Sequence, residues 1–422
     1  MTTTPARNLG LFAQLLDPAH RADPYPLYHR IREHGPVRLG GAPVVVLSSY
    51  QDCATVLRDK ASSVERHYAS IPLGPTPVHD LAGDLAGELT GIAPMLFRDN
   101  PDHARLRRLV AATFTPAVVR RMEPRITAIA DAALDRAAER GQLDIVADLA
   151  GPLPVTVICE LLGVPLDDEP LIRGWSTWLA RALDPVSATA TTGRPDPAAL
   201  VSDNNALHDY FEQLVRHRRT RPGDDLVSAL IVAEDSGQAL SHDELITTCA
   251  LLLIAGHETT VNLISNTVLA LLSHRLHRQI LRVAPPFVTS VVEESLRYDP
   301  PVQLVPRIAR EAIQLPDITI AAGDFIVMLL AAANRDPAVF ADPDRFDPAR
   351  ANRHLAFGLG QHFCLGAPLA RLEATVAINC FARRVIDPRL VSDPPSYREH
   401  VTLRGPAAMP LTFASIASAN AA

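Results

Sequence analysis

The longest organised pattern in the chain runs from Ser241 to Ser273. Ser241-His242-Asp243-Glu244 reads as a capping box, and from Leu245 to Ser273 the only charged residue is Glu258, with His257 beside it. A helix of some thirty residues, about 45 Å long at the helical rise, is predicted. Apolar on every side, such a helix belongs in a core or in a membrane. Its longest clean apolar run is too short to cross a bilayer, and Gly256-His257-Glu258-Thr259-Thr260 interrupts its centre, so a core helix is predicted.

Shorter patterns surround it. Leu369, Leu372, Val376 and Cys380 recur at steps of three and four after Gly366-Ala367-Pro368, which predicts a helix with one buried face and proline in its first turn. Pro101 to Arg121 is read as helical, and helices continue with turns to about Asp184. A short helix is expected from Tyr25-Pro26-Leu27-Tyr28, and strands over Val37 to Leu47, broken at Gly40-Gly41, and around Ile318 to Leu330. The fold class is therefore mainly α with a minor β portion (α+β). Ser62 to Asn100 is irregular and proline-rich; a loop of that length inside a compact chain is usually functional and is expected to wall a pocket. Ser187 to Pro197 reads as a surface loop between two helical stretches. No linker, repeat or charge block divides the chain, so one domain over 1–422 is expected, with a disordered tail over about residues 1–10.

Composition narrows the partners. Hydrophobic residues make up 47% and charged residues 21%, as in ordinary globular proteins, and 40 basic against 47 acidic side chains give −7, which argues against nucleic acid. Five scattered cysteines, Cys53, Cys159, Cys249, Cys364 and Cys380, show no paired spacing, so neither a disulfide framework nor a zinc site is indicated. With no apolar leader or anchor at the N-terminus, a cytoplasmic location is expected.

Candidate chemistry concentrates at Cys364, within Phe357-Gly358-Leu359-Gly360-Gln361-His362-Phe363-Cys364-Leu365-Gly366. Its sulfur falls at a helix N-terminus, where amide dipoles favour the thiolate, a soft metal ligand. Gly358 and Gly360 permit positive φ and a close backbone approach to a flat ligand. Phe357 offers a ring to shield the sulfur. Without that context a buried cysteine is most often a small hydrophobe. Glu258 needs a reason to sit in a buried helix, since desolvation raises a carboxyl's pKa; the bland reading is a satisfied core acid beside a threonine bonded back to its own helix. Glu294 and Arg297 lie three apart on one helix face, a pair common on surfaces.

The stretch from Phe357 to Gly366 resembles the haem-binding loop of the cytochrome P-450 family, soluble bacterial type, in which a cysteine thiolate holds the iron. Ala255-Gly256-x-Glu258-Thr259 is similar to that family's oxygen-binding groove, and the resemblance extends from Asp23-Pro24-Tyr25-Pro26 to the end of the chain. It implies the P-450 fold, with haem b (iron protoporphyrin IX) between the central helix and the helix after the cysteine loop. Cys364 would be the axial ligand, with Phe357, Gly358, Gly366, Ala255 and Gly256 against the cofactor. His103, Arg107, Arg307 and His362 match propionate partners. Glu258 and Thr259 would deliver protons to dioxygen, the co-substrate. Glu294, Arg297 and Arg345 match a buried structural ion-pair network. Arg275 stands where the family often has proline, and Glu258 where aspartate is commoner.

The activity implied is monooxygenation, hydroxylation or epoxidation, of a small-to-medium hydrophobic substrate of the secondary-metabolism kind. Substrate contacts are expected from Leu251, Ile254, Ala255, Val302, Leu304 and Val305, from the Ser62-to-Leu96 loop, and from a lid at Ser187 to Pro197. No flavin or nicotinamide fingerprint is apparent, so electrons are expected from a separate ferredoxin and ferredoxin reductase, with Arg105 and Arg108 in the docking patch. Three other readings compete: a peroxide-driven haem-thiolate enzyme, disfavoured by Glu258-Thr259; a haem protein that binds gas without turnover; and a helical binding protein with an inert Cys364.

Overall fold

The computed structural model describes residues 5–70, 93–111, 114–182, 197–235, 240–351 and 353–419. The capping box forms: the Ser241 hydroxyl accepts from the Glu244 amide at 3.2 Å and the Glu244 carboxylate accepts from the Ser241 amide at 3.0 Å, starting a helix that runs unbroken from His242 to Ser273. Leu245, Leu253, Leu263, Ile264, Val268 and Leu271 along it are almost wholly buried. Each such side chain contributes roughly 1.5–3 kcal/mol on leaving water, which fixes this helix as the axis of the largest core. Helices Pro152–Leu162, Glu169–Ala182, Pro197–Thr220 and Ala367–Arg384 pack around it. The segment Ile145–Leu162 is apolar enough by length and composition to cross a membrane, yet 61% of it is buried within the fold.

The largest sheet among the described residues has five strands, in the order Val37–Arg38, Val44–Leu47, Phe325–Met328, Val305–Ala309, Ser62–Ser63, and smaller two- and three-stranded sheets accompany it. Only the pairing of Val44–Leu47 with Phe325–Met328 is parallel. Strand alternation divides the side chains cleanly: Val46 and Val327 enter one hydrophobic cluster, while Val45, Leu47, Ile326 and Met328 enter another on the opposite face.

Several boundaries differ from expectation. Of the tail expected over about residues 1–10, residues 1–4 lie outside the described residues, and Pro5 begins a helix that runs to Leu15, with Leu11 and Leu15 in the second cluster. Strand Val305–Ala309 escaped the hydrophobic pattern, since Pro306 and Arg307 interrupt its apolar alternation. Of the anticipated pocket wall and lid, residues 71–92 and 183–196 lie outside the described residues; Pro197 begins a helix.

Candidate active site

Cys364 is held by a tight loop. The amide of Cys364 donates to the Phe357 carbonyl at 2.9 Å and that of Gly358 to Leu355 at 2.8 Å. Gly358 and Gly360 have φ of 66° and 71°, and a Cβ on Gly360 would meet the Leu57 carbonyl oxygen at 2.5 Å, so a side chain is excluded there on two counts. The Phe357 ring lies between the Arg371 guanidinium, 4.6 Å from its centroid, and Phe363, 6.3 Å away. The other four cysteines are buried; Cys364 alone is partly accessible. Burial nevertheless pushes its thiol pKa up, outweighing the Gly366 and Ala367 amides and the charges of Arg107 and Arg371, which pull it down. The helix N-terminus is present as the sequence suggests, but it does not by itself make a thiolate. A coordinated metal ion displaces the thiol proton outright.

Four basic side chains gather beside this sulfur. His103, 3% exposed, packs against His362 with ring centroids 4.1 Å apart and planes tilted by 41°. Burial holds the His103 pKa down to about 4, with His362 and Arg107 adding to the effect. Desolvation lowers Arg107, against the pull of Cys364, and takes Arg307 down to about 10. Arg307 donates to the Pro306 carbonyl at 2.7 Å; among the described residues neither arginine has a carboxylate within salt-bridge distance. His362 Nε2 is buried without a hydrogen-bond partner, 4.0 Å from Asp99. A desolvated cation without a counter-ion costs several kcal/mol on the usual scale, so Arg107 and Arg307 make this side of the site suited to an anion. A ligand with two carboxylates and a soft metal centre suits this donor set, and haem b is such a ligand.

On the central helix, accessibility follows one stripe. Leu251, Ile254, Ala255, Gly256 and Thr259 are partly or fully accessible, while Leu252, Leu253, His257, Glu258 and Thr260 are buried. Positions 251, 255 and 259 lie at steps of four, on one face. The Thr259 hydroxyl donates to the Ala255 carbonyl at 2.9 Å. Glu258 turns away from that face towards Arg398, whose Nη1 lies 3.6 Å from its carboxylate. His257 is tied through Nδ1 to Ser176 Oγ at 3.0 Å, and burial lowers its pKa. Val302 bridges to Leu403, and Val305 is half-buried. Leu304 is a correction to the expected substrate contacts. Backbone alternation directs it away from Val305 and Arg307, into the cluster containing Leu27, Val327 and Leu329.

The ion-pair network needs a second correction. Glu294 and Arg297, both fully buried, pair at 2.6 Å. The third cation is Arg350, 3.2 Å from Glu294, and not Arg345. Arg345 is exposed and contributes only its carbonyl, which accepts from Arg297 at 3.0 Å. Arg297 also donates to the carbonyls of Asn334 and Pro343, and the Asn334 side chain accepts from the Leu355 amide at 2.7 Å, which links the network to the cysteine loop. Arg105 is the third correction: it is bound to Glu244 at 2.6 Å and Asp102 at 3.0 Å, tying the helix Asp102–Ala111 to the start of the central helix instead of standing free for a partner. Arg108 is exposed. Arg350 and Arg398 were missed because each meets its acid only through the tertiary fold, 56 and 140 residues away in sequence.

Comparison with known proteins agrees with this geometry. Residues 27–397 match the family model for cytochrome P450. The chain is 40% identical to a vitamin D(3) 25-hydroxylase of Pseudonocardia autotrophica, over 98% of each protein. It is 37% identical to the cytochrome P450 monooxygenase PikC of Streptomyces venezuelae, over 97% of this chain and 94% of that one. Among solved structures, ligand-free CYP164A2 of Mycobacterium smegmatis superposes with a TM-score of 0.86 at 46% identity, covering 96% of this chain and all of that one. A thiol in a glycine-shaped loop and an acid-alcohol pair in a buried helix are thus set in a fold shared along almost the whole length, and the chain belongs to the cytochrome P450 family of monooxygenases.

Proposed function

We propose that this protein is a haem-thiolate monooxygenase that places one atom of dioxygen in a hydrophobic organic substrate, as an alcohol or epoxide, and reduces the other to water. Cys364 would hold the iron of haem b, and Arg107, Arg307, His103 and His362 its propionates. When bound, the haem supplies a redox-active iron whose electron density the thiolate raises. The chain's own residues do the rest. Leu251, Ile254 and Ala255, with Val302 and Val305, offer apolar surface to the substrate and exclude water. Hydroxylation consumes two electrons and two protons for each dioxygen, giving the alcohol and one water. The Thr259 hydroxyl, one turn beyond Ala255 on the accessible stripe, is placed to exchange its carbonyl partner for an oxygen of the reacting dioxygen. Glu258, its neighbour in sequence, carries protons towards it from the buried side.

The observation that carries this reading is the division of the central helix into an accessible stripe ending at Thr259 and a buried carboxylate beside it. A relative named for hydroxylating vitamin D3 supports an apolar substrate. Electrons are assigned to a ferredoxin and its reductase in the cytoplasm, with exposed Arg108 in the docking surface. The test is the ferrous carbonyl spectrum together with product yield per electron. A thiolate-type spectrum that Cys364→Ser abolishes, and product formation that stops without the ferredoxin, are expected. An imidazole-type spectrum, or full turnover on hydrogen peroxide alone, overturns the reading.

A further inference from the structure

Arg398 is 136 residues or more from its partners on the central helix and still reaches two of them. Its Nη1 lies 3.6 Å from Glu258 Oε2 and also donates to Asn262 Oδ1. Glu258 and Asn262 are four residues apart, so they share a helix face, and they are 3% and 0% exposed. The approach is specifically accommodated. The Arg398 amide donates to the Gly405 carbonyl at 3.3 Å, and any Cβ on Gly405 would collide with the Asn262 side chain. Arg398 also lines a small crevice of mixed lining, with His20, Gln303 and His400 beside Leu15 and Val401. A guanidinium in contact with a buried carboxylate on one side and a crevice on the other is placed to fix where that carboxylate points.

We infer that Arg398 is the positioning residue for Glu258, holding its carboxylate between the crevice and the Thr259 side of the central helix so that protons reach the reacting dioxygen. The inference rests on the proton-delivery role proposed for Glu258. Asn262 fixes the guanidinium in turn, which is why a flexible surface cation does not serve. Without Arg398 the carboxylate loses its orientation, protons arrive late, and electrons leave as hydrogen peroxide instead of product.

The test uses the holoenzyme with saturating reduced ferredoxin and a hydroxylated substrate. Glu258→Gln is expected to lower product formation by roughly a hundredfold and Arg398→Gln by about tenfold, both with more peroxide per electron and a larger solvent deuterium isotope effect. The double variant should be no slower than Glu258→Gln alone, and the shifts in thermal midpoint of the two single variants should likewise fail to add. Arg398→Lys, which keeps the charge, should recover part of the coupling. If Glu258→Gln acts and Arg398→Gln changes neither peroxide yield nor isotope effect, the assignment of Arg398 fails alone. Additive losses in the double variant, in rate and in thermal midpoint, would also overturn it. If Glu258→Gln leaves the partition of electrons unchanged, the proposed role of Glu258 fails first.

Discussion

Two buried clusters of charge flank the cysteine loop, and they are built on opposite principles. Around Glu294 every charge is answered: Arg297 and Arg350 face the carboxylate, the Asp347 amide donates to it at 2.8 Å, and carbonyls of Asn334, Pro343 and Arg345 absorb the remaining guanidinium protons. Around Cys364 the two arginines are not answered: Arg107 and Arg307, crowded by His103 and His362 and like them depressed in pKa by burial, have no carboxylate within salt-bridge distance among the described residues, while His362 alone faces one, Asp99 at 4.0 Å. A closed network of this kind is scaffold, because it demands nothing further. An open one leaves its arginines without counter-charge, the opening that the proposed function gives to an anion.

The sharpest way to break the comparison is to open the closed network. Glu294→Gln strands Arg297, which is fully enclosed, and should cost about 3–5 kcal/mol in denaturant unfolding, with failure to retain haem. A loss under 1 kcal/mol would mean that this network is no more closed than its neighbour. The open cluster should respond in the other sense. Arg307→Ala removes a desolvated cation, so it should accelerate haem loss to an acceptor globin by roughly tenfold, about 1.4 kcal/mol, while unfolding of the polypeptide is scarcely weakened. Destabilisation as large as that of Glu294→Gln would make Arg307 scaffold too.

How far each cluster was legible follows from its geometry in sequence. The cysteine loop is contiguous, so its glycines, ring and sulfur could be read together, and the central helix announced itself through a capping box and an apolar run with one acid in it. Glu294 and Arg297 were visible as a pair because a helix places residues three apart side by side. Their third partner was not, since Arg350 reaches Glu294 through a loop with no repeating period, and the nearby Arg345 offered the same residue type five positions earlier. Arg105 looked like one of several solvated arginines, and only the fold brings Glu244 to it. Leu304 and Val305 are equally apolar; strand direction alone sends Leu304 into one core cluster and leaves Val305 half-buried against another. Local pattern therefore exposed the chemistry, while the assignment of charges to partners required the fold.

A smaller effect tests the boundary between the clusters. Glu293, next to the closed network, bonds Arg371 at 2.6 Å and His354 at 3.2 Å, and Arg371 covers Phe357 in the cysteine loop. Burial acts to raise the Glu293 pKa, but the hydrogen bonds and charges of His354 and Arg371 outweigh it and hold the carboxyl down to about 2. A folded pKa below the unfolded value, near 4.3, stabilises the protein above about pH 4.3 and loses that contribution as pH falls towards 2. With partial exposure taken into account, about 1–2 kcal/mol is expected. Glu293→Gln should flatten the slope of unfolding free energy over that window; an unchanged slope would show that the pair does not act as a closed unit.

The smallest expected effect discriminates most finely, because it concerns two arginines five residues apart. Arg345 gives Arg297 and Arg350 its carbonyl oxygen, at 3.0 and 3.1 Å, and keeps its side chain exposed. Arg345→Ala preserves that carbonyl, so unfolding free energy should move by no more than about 0.5 kcal/mol, as for an ordinary surface site. Arg350→Ala removes a charge 3.2 Å from the buried Glu294 and should cost about 1.5–3 kcal/mol, the range for hydrogen bonds to charged groups. Unfolding curves of the two variants at one pH and salt concentration decide between them. If Arg345→Ala proved the more damaging, its side chain would have to enter the network in solution, and the cluster around Glu294 would not be closed in the arrangement described.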